Sequence, residues 1–241
     1  MKKTNKSHNY FFLYKQNNFE EVEKKTKVSF TNKALLVQSF LHRSYLHEHK
    51  NVGIDNNERL EYLGDAVLEL ITTKYLYRHY QKPEGVLTVW RSALVNTKSL
   101  FKVAEKLNFD PFVLLSKGER ENNFRARKFI LADTVEAFIG AVYLDGGLEV
   151  AEKFVERNIL IYLPEIIEHQ LFEDAKSKLQ KKIQEKGGIT PSYKVRAEHG
   201  PDHAKWFKVG VFFEDELIAE GEGLSKQEAE EEAAAKALKV N

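Results

Sequence analysis

The chain has 241 residues, enough for one large domain or two small ones with real cores. Apolar residues make up 42% and charged residues 30%, and 37 basic side chains nearly cancel 36 acidic ones, so bulk charge points to no partner. The lack of cysteine excludes disulfides, thiolate metal sites and cysteine nucleophiles; no apolar run is long enough to span a bilayer, the basic start Met1-Lys2-Lys3 leads into a stretch too polar for a signal-peptide core, and a cytoplasmic setting is expected.

Residues 1–18 read as a polar, aromatic-flecked N-terminal extension. From Phe19 to Phe172 apolar residues recur at helical spacing. Leu35, Leu36, Phe40 and Leu41 give one face, and Leu60, Leu63, Val67, Leu68, Ile71, Tyr75 and Leu76 a longer one. Pro83 and Gly85 break the chain, a helix is predicted over 87–107, and Asp110-Pro111 marks a turn. The run 129–144 predicts a strongly apolar helix stopped by Asp145-Gly146-Gly147; 148–163 predicts another, ended by Pro164, with a short one after it. Near Glu173 the pattern changes. Residues 175–186 predict a helix with Leu179 and Ile183 inward. Strand-like runs follow over 192–198, 206–213 and 217–222, then an Ala- and Glu-rich helix over 225–238 with Ser225 as N-cap. The expected architecture is an all-α domain over 19–172 followed by a small α+β domain, ordered α-β-β-β-α, over 173–241.

Two acid pairs carry the candidate chemistry. Glu61 and Asp65 are spaced i,i+4, and Asp133 and Glu136 i,i+3, so each pair shares one helix face inside an apolar run. Ordinary ion pairs would satisfy them. So would a hard divalent cation with oxygen ligands, which could activate water for phosphodiester hydrolysis.

The run Asn57-Glu58-Arg59-Leu60-Glu61-Tyr62-Leu63-Gly64-Asp65 resembles the signature of the ribonuclease III endonucleases. His42-Arg43-Ser44-Tyr45, Lys117-Gly118-Glu119, 130–137 and Tyr143-Leu144-Asp145-Gly146-Gly147 match in order around it. The tail resembles a double-stranded-RNA-binding domain through Lys178-Leu179-Gln180, Gly200-Pro201-Asp202-His203 and the closing Ala-rich helix. The resemblance covers about residues 20–240. It implies an endoribonuclease that cuts double-stranded RNA to 5′-phosphate and 3′-hydroxyl ends in rRNA and mRNA processing. Glu61, Asp133 and Glu136 would bind Mg²⁺, with Mn²⁺ able to substitute, and Asp65 and Glu136 would be catalytic. Glu58 and Glu84 match further family acids and are assigned supporting roles, a plain salt bridge being the alternative for Glu58. The resemblance also implies a homodimer whose two sites cut opposite strands, with Leu60, Leu63 and Leu68 serving either the dimer interface or the protomer's own core.

Double-stranded RNA is read by shape, 2′-hydroxyls and phosphates across the minor groove. Ser177 and Gln180 on the first tail helix, His203 in the loop, and Ser225 and Lys226 at the start of the last helix are the expected contacts. The family places several basic residues where this chain reads Ser225-Lys226-Gln227-Glu228-Ala229-Glu230-Glu231-Glu232. Phosphate contact there should be weakened and salt dependence modest, with Lys176, Lys178, Lys181, Lys182 and Lys186 as compensation or as a solvated face. Arg120, Arg125, Arg127 and Lys128 are expected to grip phosphates beside the cut site. His42, His47, Trp90 and Trp206 are expected to pack rather than to bind metal or bases. A non-cleaving RNA-binding or ribosome-associated protein is the competing reading, and the complete acid quartet argues against it. A DNA-acting metal nuclease would fit the acids but not the tail.

Overall fold

The computed structural model describes residues 9–50, 52–121, 124–168, 175–185, 190–200 and 205–240. The chain divides into two compact units, Met1–His169 and Gln170–Asn241.

Unit one is helical. Its elements are α1 (Asn9–Gln16), α2 (Phe19–Thr26), α3 (Lys33–Ser39), α4 (Arg43–Glu48), α5 (Glu58–His79), α6 (Glu84–Val95), α7 (Thr97–Leu107), α8 (Lys117–Glu121), α9 (Phe124–Asn158) and α10 (Leu163–Glu168). Phenylalanines form its centre: Phe40 stands edge-on to Phe19 (5.3 Å) and Phe109 (4.9 Å), and Phe138 packs on Phe109 (5.4 Å) and Phe154 (5.0 Å). All five are fully buried, each contributing about 1.5–3 kcal/mol.

Four boundaries differ from the sequence expectation, each for a local reason. Residues 9–16, expected in the extension, form α1, because Leu13 and Tyr14 bury against the domain. The helix expected over 87–107 is two: Asn96 is extended and its side chain caps α7 by accepting from Ser99 N–H (2.9 Å). The α9 helix runs on through Asp145 and Gly146 and breaks at Gly147 (φ 79). Pro164 does not end a helix but lies in the first turn of α10, where its missing N–H costs nothing.

Unit two holds α11 (Ala175–Glu185), β1 (Ser192–His199), β2 (Trp206–Phe213), β3 (Glu216–Gly223) and α12 (Lys226–Val240). The strands form an antiparallel sheet in the order β1-β2-β3. Leu179 and Val211 pack with Ala233, Ala234 and Ala237, and Ile183 joins them. The alanines let α12 lie close on β3: a Cβ at Gly221 would stand 2.2 Å from the Ala229 carbonyl oxygen. Ser225 caps α12 as expected, its Oγ accepting from Glu228 N–H (3.2 Å).

Candidate active site and nucleic-acid interface

The acid pairs meet because α5 and α9 cross in backbone contact. A Cβ at Gly64 would lie 1.8 Å from the Glu136 carbonyl oxygen, and one at Gly140 would lie 2.2 Å from that of Leu60. No other residue type fits either position. Leu60, Val67 and Leu68 bury on the same side, so the helices present Glu61 and Asp65 to Asp133 and Glu136. One carboxylate oxygen each from Glu61, Asp133 and Glu136 lie within 4.8 Å of one another. All three side chains are half-buried; Asp65, one turn along α5, is exposed and stands outside that group.

The electrostatics show an uncompensated cluster. Burial raises the pKa of Asp133. Burial, then the charges of Asp133, Glu58 and Asp65, raise Glu61. Burial, then Asp65, Asp133 and Glu61, push Glu136 up to about 8. Each of these influences is upward, and none comes from a basic side chain among the described residues. Converging half-buried oxygens without a counter-charge suit a hard divalent cation, so the donor set fits the metal that the sequence implies.

The other expected residues distribute as follows. Glu58 is exposed and pairs with Arg43 (3.5 Å) while accepting from the Asn56 amide (3.1 Å), so the salt-bridge alternative describes its contacts. Glu84 opens α6, accepts from Thr88 Oγ1 (3.0 Å) and lines a cavity of about 690 Å³ with Thr73, Leu76, Tyr77 and Arg91. It lies by the end of α5 away from Glu61, since Glu61 to Leu76 spans about 22 Å of helix. The protomer does not bring Glu84 to the cluster. Leu60 and Leu68 are buried in the protomer's own core and Leu63 is half-buried, which settles the first two for core packing.

His42 is a structural clip. Its Nδ1 accepts from Ser44 N–H (3.3 Å) and meets Ser44 Oγ (2.9 Å), which accepts from Ser116 N–H (3.0 Å). Its N–H donates to the Leu114 carbonyl (3.2 Å). Neither His42 nor His47 joins the acid group. Two of the expected phosphate grips are engaged within the fold: Arg127 Nε donates to Asp110 Oδ1 (2.5 Å), and Arg120 to the Val113 carbonyl (3.3 Å). Lys128 lies over the Phe101 ring, and the Arg125 side chain lies outside what is described. Trp90 is buried edge-on to Tyr80 (5.2 Å), and Trp206 stacks on His199 (5.7 Å), so both pack as expected.

In unit two, Ser177 and Gln180 are exposed, one turn apart, opposite buried Leu179. Lys226 is exposed at the start of α12, and His203 lies outside the described residues. The glutamates of α12 serve their own domain. Glu228 accepts from Leu224 N–H (3.0 Å), Glu230 pairs with Lys176 (2.5 Å), Glu231 accepts from Ala175 N–H (3.0 Å), and Glu232 accepts from Glu222 N–H. Sequence reading missed this inward use, and also the roles of Gly64 and Gly140. A glycine inside an apolar helical run was the available signal, since it costs about 1 kcal/mol unless packing demands it.

A helical domain with a converging acid cluster, followed by an α-β-β-β-α domain, defines an endonuclease equipped to hold duplex RNA. The Ribonuclease-III-like family model matches residues 32–163, and the double-stranded RNA binding motif matches 175–241. Ribonuclease 3 of Carboxydothermus hydrogenoformans is 46% identical over 92% of this chain and 95% of its own, and that of Enterococcus faecalis 42% identical over 91% and 95%. The nuclease domain of ribonuclease III from Campylobacter jejuni, described as having structural flexibility in a region involved in dimer formation, is 38% identical with a TM-score of 0.54, over 61% of this chain and 99% of that one. The chain belongs to the ribonuclease III family and is an endoribonuclease with a double-stranded-RNA-binding domain. Among the described residues, no helix is long and apolar enough to cross a membrane.

Proposed function

We propose that the protein cleaves double-stranded RNA by Mg²⁺-dependent phosphodiester hydrolysis, leaving 5′-phosphate and 3′-hydroxyl ends. The carrying observation is the convergence of Glu61, Asp133 and Glu136 within 4.8 Å, with burial and their mutual charges raising Glu136. These three acids would hold the ion, Mg²⁺ or Mn²⁺, which when bound polarises water and neutralises the leaving oxygen. Asp65, exposed beside them, accepts a proton from the attacking water at its carboxylate. Glu136 carries a proton at neutral pH until a cation displaces it. Ser177 and Gln180 meet a minor groove, His203 the next one, and Lys226, with the α12 N-terminus capped by Ser225, a phosphate.

The reading extends to a homodimer. Tyr62 (84% exposed), Leu70 (54%) and Tyr77 (80%) fall within about 80° on α5, an apolar stripe on an otherwise amphipathic helix. A second copy offers the matching stripe, and two sites would then act on opposite strands. The reading includes rRNA and mRNA processing in the cytoplasm, as the family resemblance implies.

The test is incubation with long duplex RNA in Mg²⁺, in Mn²⁺ and in EDTA, with duplex DNA as competitor. Cleavage is expected with either ion and not in EDTA, and Glu136→Gln should lower kcat by at least about a hundredfold. No cleavage in Mg²⁺, or full activity in Glu136→Gln, would sink the reading and leave a non-cleaving RNA-binding protein. Effective competition by DNA would overturn the RNA assignment.

A further inference from the structure

Lys226 does not stand free at the start of α12. Its ammonium lies 3.4 Å from Glu198 Oε1 and 5.6 Å from the centre of the Phe207 ring. Glu198 and Phe207 are directly opposite each other in the β1–β2 ladder. The end of the hairpin therefore forms a cradle, an aromatic face and a carboxylate side by side, that holds the lysine. Glu228 at the same end of α12 accepts from Leu224 N–H.

We propose that Glu198 is an internal anion that competes with RNA phosphate for Lys226 and sets the affinity of the binding domain. Phosphate and carboxylate are both oxygen anions seeking one ammonium, so the backbone must displace Glu198 to be gripped. Once displaced, Glu198 stands near the phosphate with its charge uncompensated. Phe207 keeps the lysine stem in place through the exchange. The Lys226–Glu198 pair is exposed, so it opposes binding only modestly. This inference rests on the reading of Lys226 as a phosphate contact.

The experiment uses the full chain in a Glu136→Gln background and in EDTA, so that cutting does not compete with binding, and a duplex of about 16 base pairs, the span of one such domain. Dissociation constants are measured across a salt series for Glu198→Gln, Lys226→Ala, the double variant, and Glu216→Gln. The last removes one exposed negative charge at the start of β3 and controls for net charge. Glu198→Gln is expected to tighten binding about two- to fivefold and to steepen its salt dependence. The gain should vanish in the Lys226→Ala background and be absent from Glu216→Gln. Wild-type affinity in Glu198→Gln, a gain that survives Lys226→Ala, or an equal gain in Glu216→Gln would overturn the inference. If Lys226→Ala alone binds as tightly as its parent, the reading of Lys226 as a phosphate contact fails instead.

Discussion

Glu136 shows how a residue's surroundings, rather than its type, define its chemistry. Its pKa of about 8 lies well above the ordinary 4.5, because burial and the charges of Asp65, Asp133 and Glu61 disfavour the anion. A carboxyl raised in this way stabilises the fold fully below about pH 4.5, and that contribution is lost as pH rises through about 8. In EDTA, the melting temperature should therefore fall between about pH 5 and pH 8 more steeply in the wild type than in Glu136→Gln, whose amide cannot ionise. Mg²⁺ should raise it more at the upper end of that range, since binding expels the proton. Equal pH slopes in the two proteins would mean that Glu136 is not the titrating group. Spacing left the acids open between ion pairs and a metal site, and the family resemblance singled them out. Their strained protonation was not legible in the chain, because it depends on charges brought together from two helices.

At the scale of elements, the crossing of α5 and α9 decides whether a site exists at all. Gly64 meets the Glu136 carbonyl and Gly140 that of Leu60, so backbone rather than flexible side chain would have to move for any added atom. Gly64→Ala and Gly140→Ala should each destabilise the protein by about 1–3 kcal/mol or more, read from denaturant unfolding. They should also weaken Mg²⁺ binding, read by calorimetry, by spreading Glu61 from Glu136. Gly85 is helical with open space around its Cβ position. Gly85→Ala should be neutral or gain up to about 1 kcal/mol. If the three variants behave alike, the crossing does not set the site. Helix positions were largely readable from apolar periodicity; two of the errors fell where a polar side chain capped and a buried aromatic anchored. Asn96 splits one expected helix in two by capping α7, and Tyr14 recruits a segment read as an extension.

On the scale of the whole molecule, the α5 stripe is an apolar surface that the protomer leaves uncovered. Leu70→Glu places a charge in its middle without touching the core, as Leu70 is more than half exposed. If the proposed dimer forms through this stripe, the variant should sediment as a monomer where the wild type does not, with its far-ultraviolet circular dichroism unchanged. A wild-type sedimentation coefficient in Leu70→Glu would place the interface elsewhere. The chain pattern left Leu60 and Leu68 open between the interface and the core, and the fold buries both in the protomer's own core. Periodicity marks every apolar face of a helix, but it cannot say which of two faces meets the chain's own neighbours.

The sequence by itself determined the order of a helical part followed by an α-β-β-β-α part, because local periodicity and caps are written along the chain. Only the tertiary structure decided which charges face one another. It joined Glu61 to Asp133 and Glu136 across a glycine crossing, gave Arg43 to Glu58 and Glu198 to Lys226, and turned the glutamates of α12 inward onto their own domain. Partners far apart in the chain meet only when packing closes the distance between them. The strength of an electrostatic interaction depends on that distance and on the burial that comes with it.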